Sequence, residues 1–123
     1  MNATTLAILL HFCTAYGVEP RLAMAVVQTE SQWDASTVGD AGEIGLMQLM
    51  PNYFNVPREQ LFDVRTNLRL GIKHLAKMQR QCKYKDDYTF LVCYNRGLRG
   101  GAKVKHPLTD RYVRKVMQNY ETL

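Results

Sequence analysis

The sequence predicts a mainly α domain of the α+β type, a compact set of short helices with one small glycine-rich hairpin or loop insert. Apolar residues recur at helical spacing along most of the chain, and glycines and prolines fall between these stretches. One segment, residues 34–45, contains three glycines among Asp and Ser residues, which is loop or hairpin chemistry. With 123 residues, 46% of them hydrophobic, we expect a single domain over residues 1–123.

The first half of the chain predicts two helices before the insert. The first covers about residues 5–16 and ends at Gly17, which is typical of a C-terminal glycine cap. The second begins at Pro20, because a proline at the first helical position loses no hydrogen bond, and it runs to residue 31 or 32. Residues 46–50, after the insert, predict a short strand or a buried turn.

The second half predicts four further helices. Residues 58–62 form a short one, and residues 66–82 form a longer one with apolar residues on one face and Lys and Arg on the other. Asp87 is expected to cap a helix that runs through Tyr94. Asp110 is expected to cap the last helix.

The cysteines and histidines predict neither a disulfide framework nor a metal site. The chain has three cysteines, Cys13, Cys82 and Cys93, an odd number without a CxxC pair, so we expect buried thiols. The histidines are isolated in sequence, and no HExxH spacing is present. We therefore expect no metal and no cofactor.

The charges are divided unevenly along the chain. Residues 1–55 hold one basic residue against five acidic ones, and residues 56–123 hold fifteen against six. A basic face implies an anionic partner, which leaves nucleic acid, a membrane surface or a charged glycan open. No apolar run approaches the ~20 residues of a membrane helix. The short run of residues 6–10 has no basic segment before it, so we expect no cleavable signal peptide.

Glu30 is an acid on the apolar face of the second predicted helix. Leu22 and Val26 precede it at helical spacing, and Trp33 follows it. A carboxyl group in that place is partly desolvated, which raises its pKa toward the value that a general acid needs. The alternative is a structural glutamate whose stem packs on the core while its carboxylate reaches water.

An acid that acts on a sugar polymer needs amide groups for the substituents and flat apolar surfaces for the rings. Gln48 and Asn95 are candidate amides, and the candidate surfaces are Trp33, Tyr53, Phe54 and Tyr94. Each also has a structural interpretation. Trp33 can be a core residue, Gln48 can bind loop backbone, and Tyr94 with Asn95 can end a helix.

Five segments together resemble one known family, the catalytic domain of soluble lytic transglycosylases, glycoside hydrolase family 23. The two most specific are Thr-Glu-Ser-Gln-Trp at residues 29–33 and Gly-Leu-Met-Gln-Leu-Met-Pro at residues 45–51. The others are residues 67–75, the Tyr-Asn-Arg-Gly of residues 94–97 and the Tyr-Val helix start at residues 112–116. The resemblance covers residues 16–120 in the family's order.

The resemblance implies a lysozyme-like fold and cleavage of the β-1,4 bond between N-acetylmuramic acid and N-acetylglucosamine in peptidoglycan. Glu30 would act as the single general acid and base, assisted by the substrate's acetamido group, and would form a 1,6-anhydro product. The implied substrate-binding residues are Gln48, Met50, Tyr94, Asn95, Tyr112 and, in a positioning role, Ser31. The expected partner is a peptidoglycan strand, with no nucleic acid, no membrane insertion and a monomeric chain.

The chain also departs from the family pattern. Gly39 stands where many members have serine, and Gly42-Glu43-Ile44 replaces the usual Gly-Ala pair. A hydrolytic muramidase similar to goose-type lysozyme stays open, since it would need a second carboxylate and Asp34, Asp40 and Glu43 all lie on the insert.

A second alternative is a basic nucleic-acid or partner-binding module that uses Arg96, Arg99, Lys103 and Lys105. No helix-turn-helix, zinc or phosphate-loop signature accompanies these residues, so the glycan interpretation is favoured. Because the implied substrate lies outside the bacterial cytoplasm, we favour a phage-borne enzyme, carried by the virion or released during lysis. A secretion- or conjugation-associated protein exported by another route stays open, as does a chain trimmed of its signal.

Overall fold

Helical segments separated by glycines and prolines fold into six α-helices. The computed structural model describes the whole chain, residues 1–123. The helices are α1 Ala3–Tyr16, α2 Pro20–Ser31, α3 Pro51–Phe54, α4 Val64–Gln81, α5 Leu91–Ala102 and α6 Arg111–Glu121. Single 3-10 turns cover Arg58–Phe62, Asp86–Tyr88 and Pro107–Thr109. The prediction of a mainly α fold is therefore confirmed.

Local capping groups decide where most helices begin and end. Gly17 ends α1 in the left-handed conformation with φ 71°, and Pro20 opens α2, both as predicted. The Asp63 carboxylate accepts a 2.9 Å hydrogen bond from the first turn of α4. The Asp110 carboxylate accepts from the backbone N–H of residues 112 and 113 in α6, as its predicted capping role requires.

The predicted capping role of Asp87 is wrong. Asp87 lies in a 3-10 turn with φ 49°, and α5 begins later, at Leu91. The helix also continues past Tyr94 to Ala102, with a kink at Gly97, where φ is 80°. Residues 90–94 are all buried, so tertiary packing rather than a capping side chain determines where this helix starts.

The expectation of three free thiols is also wrong. Cys82 and Cys93 form a disulfide with their Cα atoms 5.9 Å apart, which ties the end of α4 to the first turn of α5. Only Cys13 is a free, buried thiol. The two bridged residues lie eleven positions apart without a recognisable motif, and contact between the two helices brings them together.

A core of 27 buried hydrophobic residues lies among the helices. Helix α4 packs against α1 and α5, while α2 packs against α1 and α6, so both the start and the end of the chain help to hold α2. No helix is long and apolar enough to cross a membrane.

The insert between α2 and α3 is a loop with almost no regular strand. Isolated antiparallel bridges join Val38 to Ile44 and Ile44 to Leu49, and residues 46–50 form a buried turn. The buried Asn67 of α4 holds this loop, since its side chain hydrogen-bonds Met47 N–H at 2.9 Å and the carbonyl of Ile44 at 2.9 Å. The insert is thus fixed against the helical core beside the end of α2.

Candidate active site

Glu30 lies in the last turn of α2, where the helix meets the insert. Its carboxylate Oε2 accepts a 2.6 Å hydrogen bond from the hydroxyl of Tyr112 on α6. The pKa of Glu30 is raised to about 7, first by burial and to a smaller extent by the negative charge of Glu43. The Tyr112 hydrogen bond and the charge of Lys115 act in the opposite direction. Near neutral pH the carboxyl group can therefore either donate or accept a proton.

Two buried hydroxyl groups hold the backbone of the insert in place beside Glu30. Ser31, next to the acid, donates to the carbonyl oxygen of Leu46 at 2.9 Å and so ties the end of α2 to the insert. Tyr94 of α5 donates to the carbonyl oxygen of Met47 at 2.9 Å. Burial holds the pKa of Tyr94 well above its usual range, so this phenol stays neutral and keeps donating.

A cleft of about 490 Å³ opens on one side of Glu30 between the insert and α5. The predicted residues that line it together with Glu30 are Gln48, Met50, Tyr53, Phe54, Tyr94 and Asn95. A second depression, lined only by polar and charged residues, shares Glu30 with the cleft and includes Ser31, Asp34 and Thr37. The acid thus stands where two open surfaces meet, which suits a bond held between two sugar residues.

Three predicted residues lie outside the main cleft, and one of them, Ser31, lines the second depression. Trp33 is half-buried and packs against the hydrophobic core, so the structural interpretation of this side chain holds. Tyr112 does not line the cleft and reaches the site only through its hydrogen bond to Glu30.

Gln48 binds the loop backbone with its amide nitrogen, and its carbonyl oxygen is available to a ligand. Its side-chain nitrogen Nε2 donates to the carbonyl oxygens of Thr37 at 3.1 Å and Gly45 at 3.0 Å, so both amide protons are used by the loop. Its carbonyl oxygen Oε1 is left as an acceptor in the cleft wall. Gln48 can therefore accept a hydrogen bond from an amide N–H of a ligand.

Glu43 is a cleft residue that sequence reasoning considered only as one of three acids on the insert. Its Oε1 accepts a 2.9 Å hydrogen bond from Ala41 N–H, and its side chain lines the cleft with Glu30. A Cβ atom at Gly39 would overlap the Glu43 carboxyl group and approach Gln48 Oε1. Glu43 therefore occupies the place that the serine of many family members would take.

His74 was not expected at the site, and it forms an aromatic wall with Tyr53, Phe54 and Tyr94. The ring centroids of these three residues lie between 5.1 and 5.6 Å from that of His74. The pKa of His74 is lowered to about 4, first by burial and to a smaller extent by the charge of Lys77. The imidazole is neutral at physiological pH and acts as part of an apolar surface, a role that no spacing in the sequence indicates.

Arg96 and Leu98 also line the cleft, next to Asn95. Nη2 of Arg96 lies 2.6 Å from Oδ1 of Asp110, the residue whose other oxygen caps α6. The sequence signal for this arrangement was present but weak, because Arg96 occupies the variable position of the Tyr-Asn-x-Gly motif.

The side chains of this protein form no candidate set of metal ligands. No three His, Cys, Asp or Glu side chains come together in a group that could hold a metal ion.

A mainly helical chain with a half-buried acid at the end of a helix, facing a cleft of aromatic and amide side chains, has the architecture of a lysozyme-like domain. A family model described as the transglycosylase SLT domain matches residues 12–112, so the chain belongs to the SLT transglycosylase family. This is the family that the sequence motifs resemble.

Individual relatives agree with this assignment. A protein named transglycosylase from Enterobacteria phage PRD1 is 35% identical over 112 residues, which cover 88% of this chain and 40% of that relative. The crystal structure of an inactive mutant of the lytic transglycosylase Slt from Pseudomonas aeruginosa matches with a TM-score of 0.72 at 20% identity. That match covers 93% of this chain and 23% of the other, and it shows the shared fold.

Proposed function

We propose that this chain is a peptidoglycan lytic transglycosylase, a single domain that acts as a monomer on glycan strands of the bacterial wall. The observation that carries the proposal is Glu30, a half-buried acid with a pKa of about 7, positioned by Tyr112 at the edge of a glycan-sized cleft. Membership of the SLT transglycosylase family supports it. The phage origin of one relative supports a phage-borne enzyme.

The proposed reaction uses Glu30 twice. The protonated carboxyl group donates its proton to the glycosidic oxygen, and the bond between that oxygen and the muramic anomeric carbon breaks. The acetamido oxygen of the same sugar supports the positive charge that develops on the anomeric carbon. Glu30, now a carboxylate, then takes the proton of the C6 hydroxyl as this oxygen closes on the anomeric carbon. The products are a 1,6-anhydromuramic end and a free C4 hydroxyl, and Glu30 is again protonated.

The other cleft residues would hold the sugar in place. Gln48 Oε1 would accept the acetamido N–H, and the exposed amide of Asn95 would bind a neighbouring polar substituent. Met50, 38% exposed, and the aromatic wall of Tyr53, Phe54 and Tyr94 would contact the apolar ring faces. Ser31 and Tyr112 would position the acid.

The test is Glu30→Gln on purified peptidoglycan, followed by mass analysis of the released fragments. We expect anhydromuramic products from the parent enzyme and a loss of release of at least about 10³-fold in the variant, because the amide cannot donate the proton. Glu59→Gln, at an exposed position in a 3-10 turn, is the matched control and should retain full activity. A Glu30→Gln protein with most of its activity would remove Glu30 from this role.

Hydrolysis is a second candidate reaction, and the observation that supports it is the position of Glu43 in the cleft. A second carboxylate could activate water, which would then attack the anomeric carbon instead of the C6 hydroxyl. The two reactions differ in product mass by one water molecule. Fragments that all carry the added water would replace the transglycosylase assignment by a hydrolase, and a Glu43→Gln variant would then lose this product.

A further inference from the structure

Arg96 is a cation that is fixed on one side and open on the other. Its Nη2 lies 2.6 Å from Asp110 Oδ1, and the Asp110 side chain is only 5% exposed, whereas that of Arg96 is 39% exposed. Asp110 is itself held by the backbone of α6, because its Oδ2 accepts from two N–H groups there. The ion pair thus anchors the guanidinium to a helix end, and Arg96 also lines the cleft.

The open part of the guanidinium retains most of its donors. Arginine carries five N–H donors in a planar fork that matches a carboxylate, and Arg96 makes one hydrogen bond with the protein. Beside it in the cleft, Leu98 is a 37% exposed apolar side chain. A fixed cation next to an apolar surface suits a ligand that carries both a carboxylate and a carbon chain.

Arg96 takes no part in the proton transfers proposed for Glu30. Those transfers use the Glu30 carboxyl group alone, and the charges that act on its pKa are those of Glu43 and Lys115. Arg96 nevertheless lines the same cleft as Glu30. A substrate that fills the cleft would therefore meet this cation at a part of the molecule that does not react.

We infer that Arg96 is a specificity-determining residue that binds a carboxylate of the peptide stem on the glycan strand, with Leu98 against the apolar part of the stem. The inference rests on the proposed peptidoglycan cleavage. The sugars of the backbone offer amides and hydroxyls, while the stem peptides offer carboxylates and aliphatic side chains. The Arg96–Leu98 pair accordingly makes the enzyme prefer strands that carry stems over strands from which an amidase has removed them.

The experiment compares kcat/KM for stem-bearing and amidase-treated glycan strands in the parent enzyme, Arg96→Gln and Arg99→Gln. Arg99 is an exposed cation on the same helix that does not line the cleft, so its variant matches the change in net charge. We expect Arg96→Gln to lower the preference for stem-bearing strands about tenfold, mainly through KM. Arg99→Gln should keep the parent's preference.

The ratio of kcat/KM for stem-bearing strands to that for amidase-treated strands separates a recognition role of Arg96 from a structural one. If Arg96 only balances Asp110, its loss will weaken cleavage of both strands equally, and this result would overturn the inference. If Arg96→Gln fails to fold, Arg96→Lys keeps the ion pair with Asp110 but lacks the planar fork, and it should lower the preference about threefold. An unchanged preference in Arg96→Lys would also overturn it. A parent enzyme that cleaves neither strand would overturn the proposed function itself.

Discussion

Glu30 shows how several neighbours determine the chemistry of one side chain. Its position in the last turn of α2 removes it partly from water, which raises its pKa, and the hydroxyl of Tyr112 offsets part of that rise. Glu43 and Lys115 add charges of opposite sign. Because the balance leaves the pKa at about 7, the group can give up a proton and take it back within one reaction cycle.

The Tyr112 hydrogen bond has a specific effect on pH dependence. This bond favours the carboxylate form, so its removal in Tyr112→Phe should raise the pKa of Glu30 and extend activity to higher pH. We also expect kcat/KM to fall roughly five- to tenfold, because the acid loses the contact that positions it. The measurement is a pH profile of kcat/KM, with Tyr16→Phe on α1 as the control. An alkaline limb that moves to lower pH would contradict this account.

Removal of the Glu43 charge should shift the alkaline limb of the kcat/KM profile to lower pH, opposite to the effect of Tyr112→Phe. Since a like charge disfavours ionisation, Glu43→Gln lowers the pKa of Glu30, and the protonated acid disappears at a lower pH than in the parent. Asp40→Asn removes a charge from an exposed position on the same insert and should leave the profile unchanged. Equal profiles for the parent and Glu43→Gln would mean that the two carboxyl groups are not coupled.

At the scale of elements, most boundaries follow from local chemistry and could be predicted. The left-handed glycine after α1, the proline that opens α2 and the Asp110 cap of α6 all act through residues adjacent in sequence. The start of α5 and the Cys82–Cys93 disulfide could not be predicted in this way. They depend on contacts between helices whose registers the sequence pattern does not specify.

The residues of the site also divide into those that the sequence could predict and those that it could not. The family motifs located Glu30, Gln48, Met50, Tyr94 and Asn95 around one cleft, because motif spacing reflects a shared fold. Glu43 lies where this chain departs from the family pattern, and Arg96 occupies a position that the pattern leaves variable, and both line that cleft. A resemblance carries no information about such positions, and only their placement in space shows that they face the ligand.

The disulfide between α4 and α5 gives a stability prediction. Closing a loop of eleven residues restricts the unfolded chain, and we expect reduction to lower the free energy of unfolding by about 3 kcal/mol. Thermal melts with and without reductant measure the loss, which should lower Tm by roughly 10 °C. Cys13→Ala should show the same loss on reduction, whereas Cys82→Ala/Cys93→Ala should not respond to reductant. A parent protein whose Tm ignores reductant would contradict the prediction.

At the scale of the whole molecule, the net charge of +5 comes from the second half of the chain. Exposed cations such as Arg69 and Lys73 on α4 lie outside the cleft. Because bacterial walls are anionic, we expect these charges to hold the protein on its proposed insoluble substrate independently of catalysis.

Rising salt should therefore release the enzyme from the wall. With inactive Glu30→Gln protein on purified sacculi, we expect the bound fraction to fall as salt rises from about 0.1 M to about 1 M, since the Debye length shrinks from about 10 to about 3 Å. Arg69→Gln/Lys73→Gln in the same background should bind more weakly at low salt and converge with the parent at high salt. Binding that does not depend on salt would assign attachment to the cleft alone.

The Glu43 carboxyl group occupies the space in the insert that a side chain at position 39 would need, so substitutions at the two positions depend on each other. Any side chain at position 39 would displace the Glu43 carboxyl group from its place beside Gln48. A residue such as serine at position 39 therefore requires the Glu43 side chain to turn away or to be replaced by a shorter one. The two positions form one exchangeable unit, and variant libraries of this loop should vary them together.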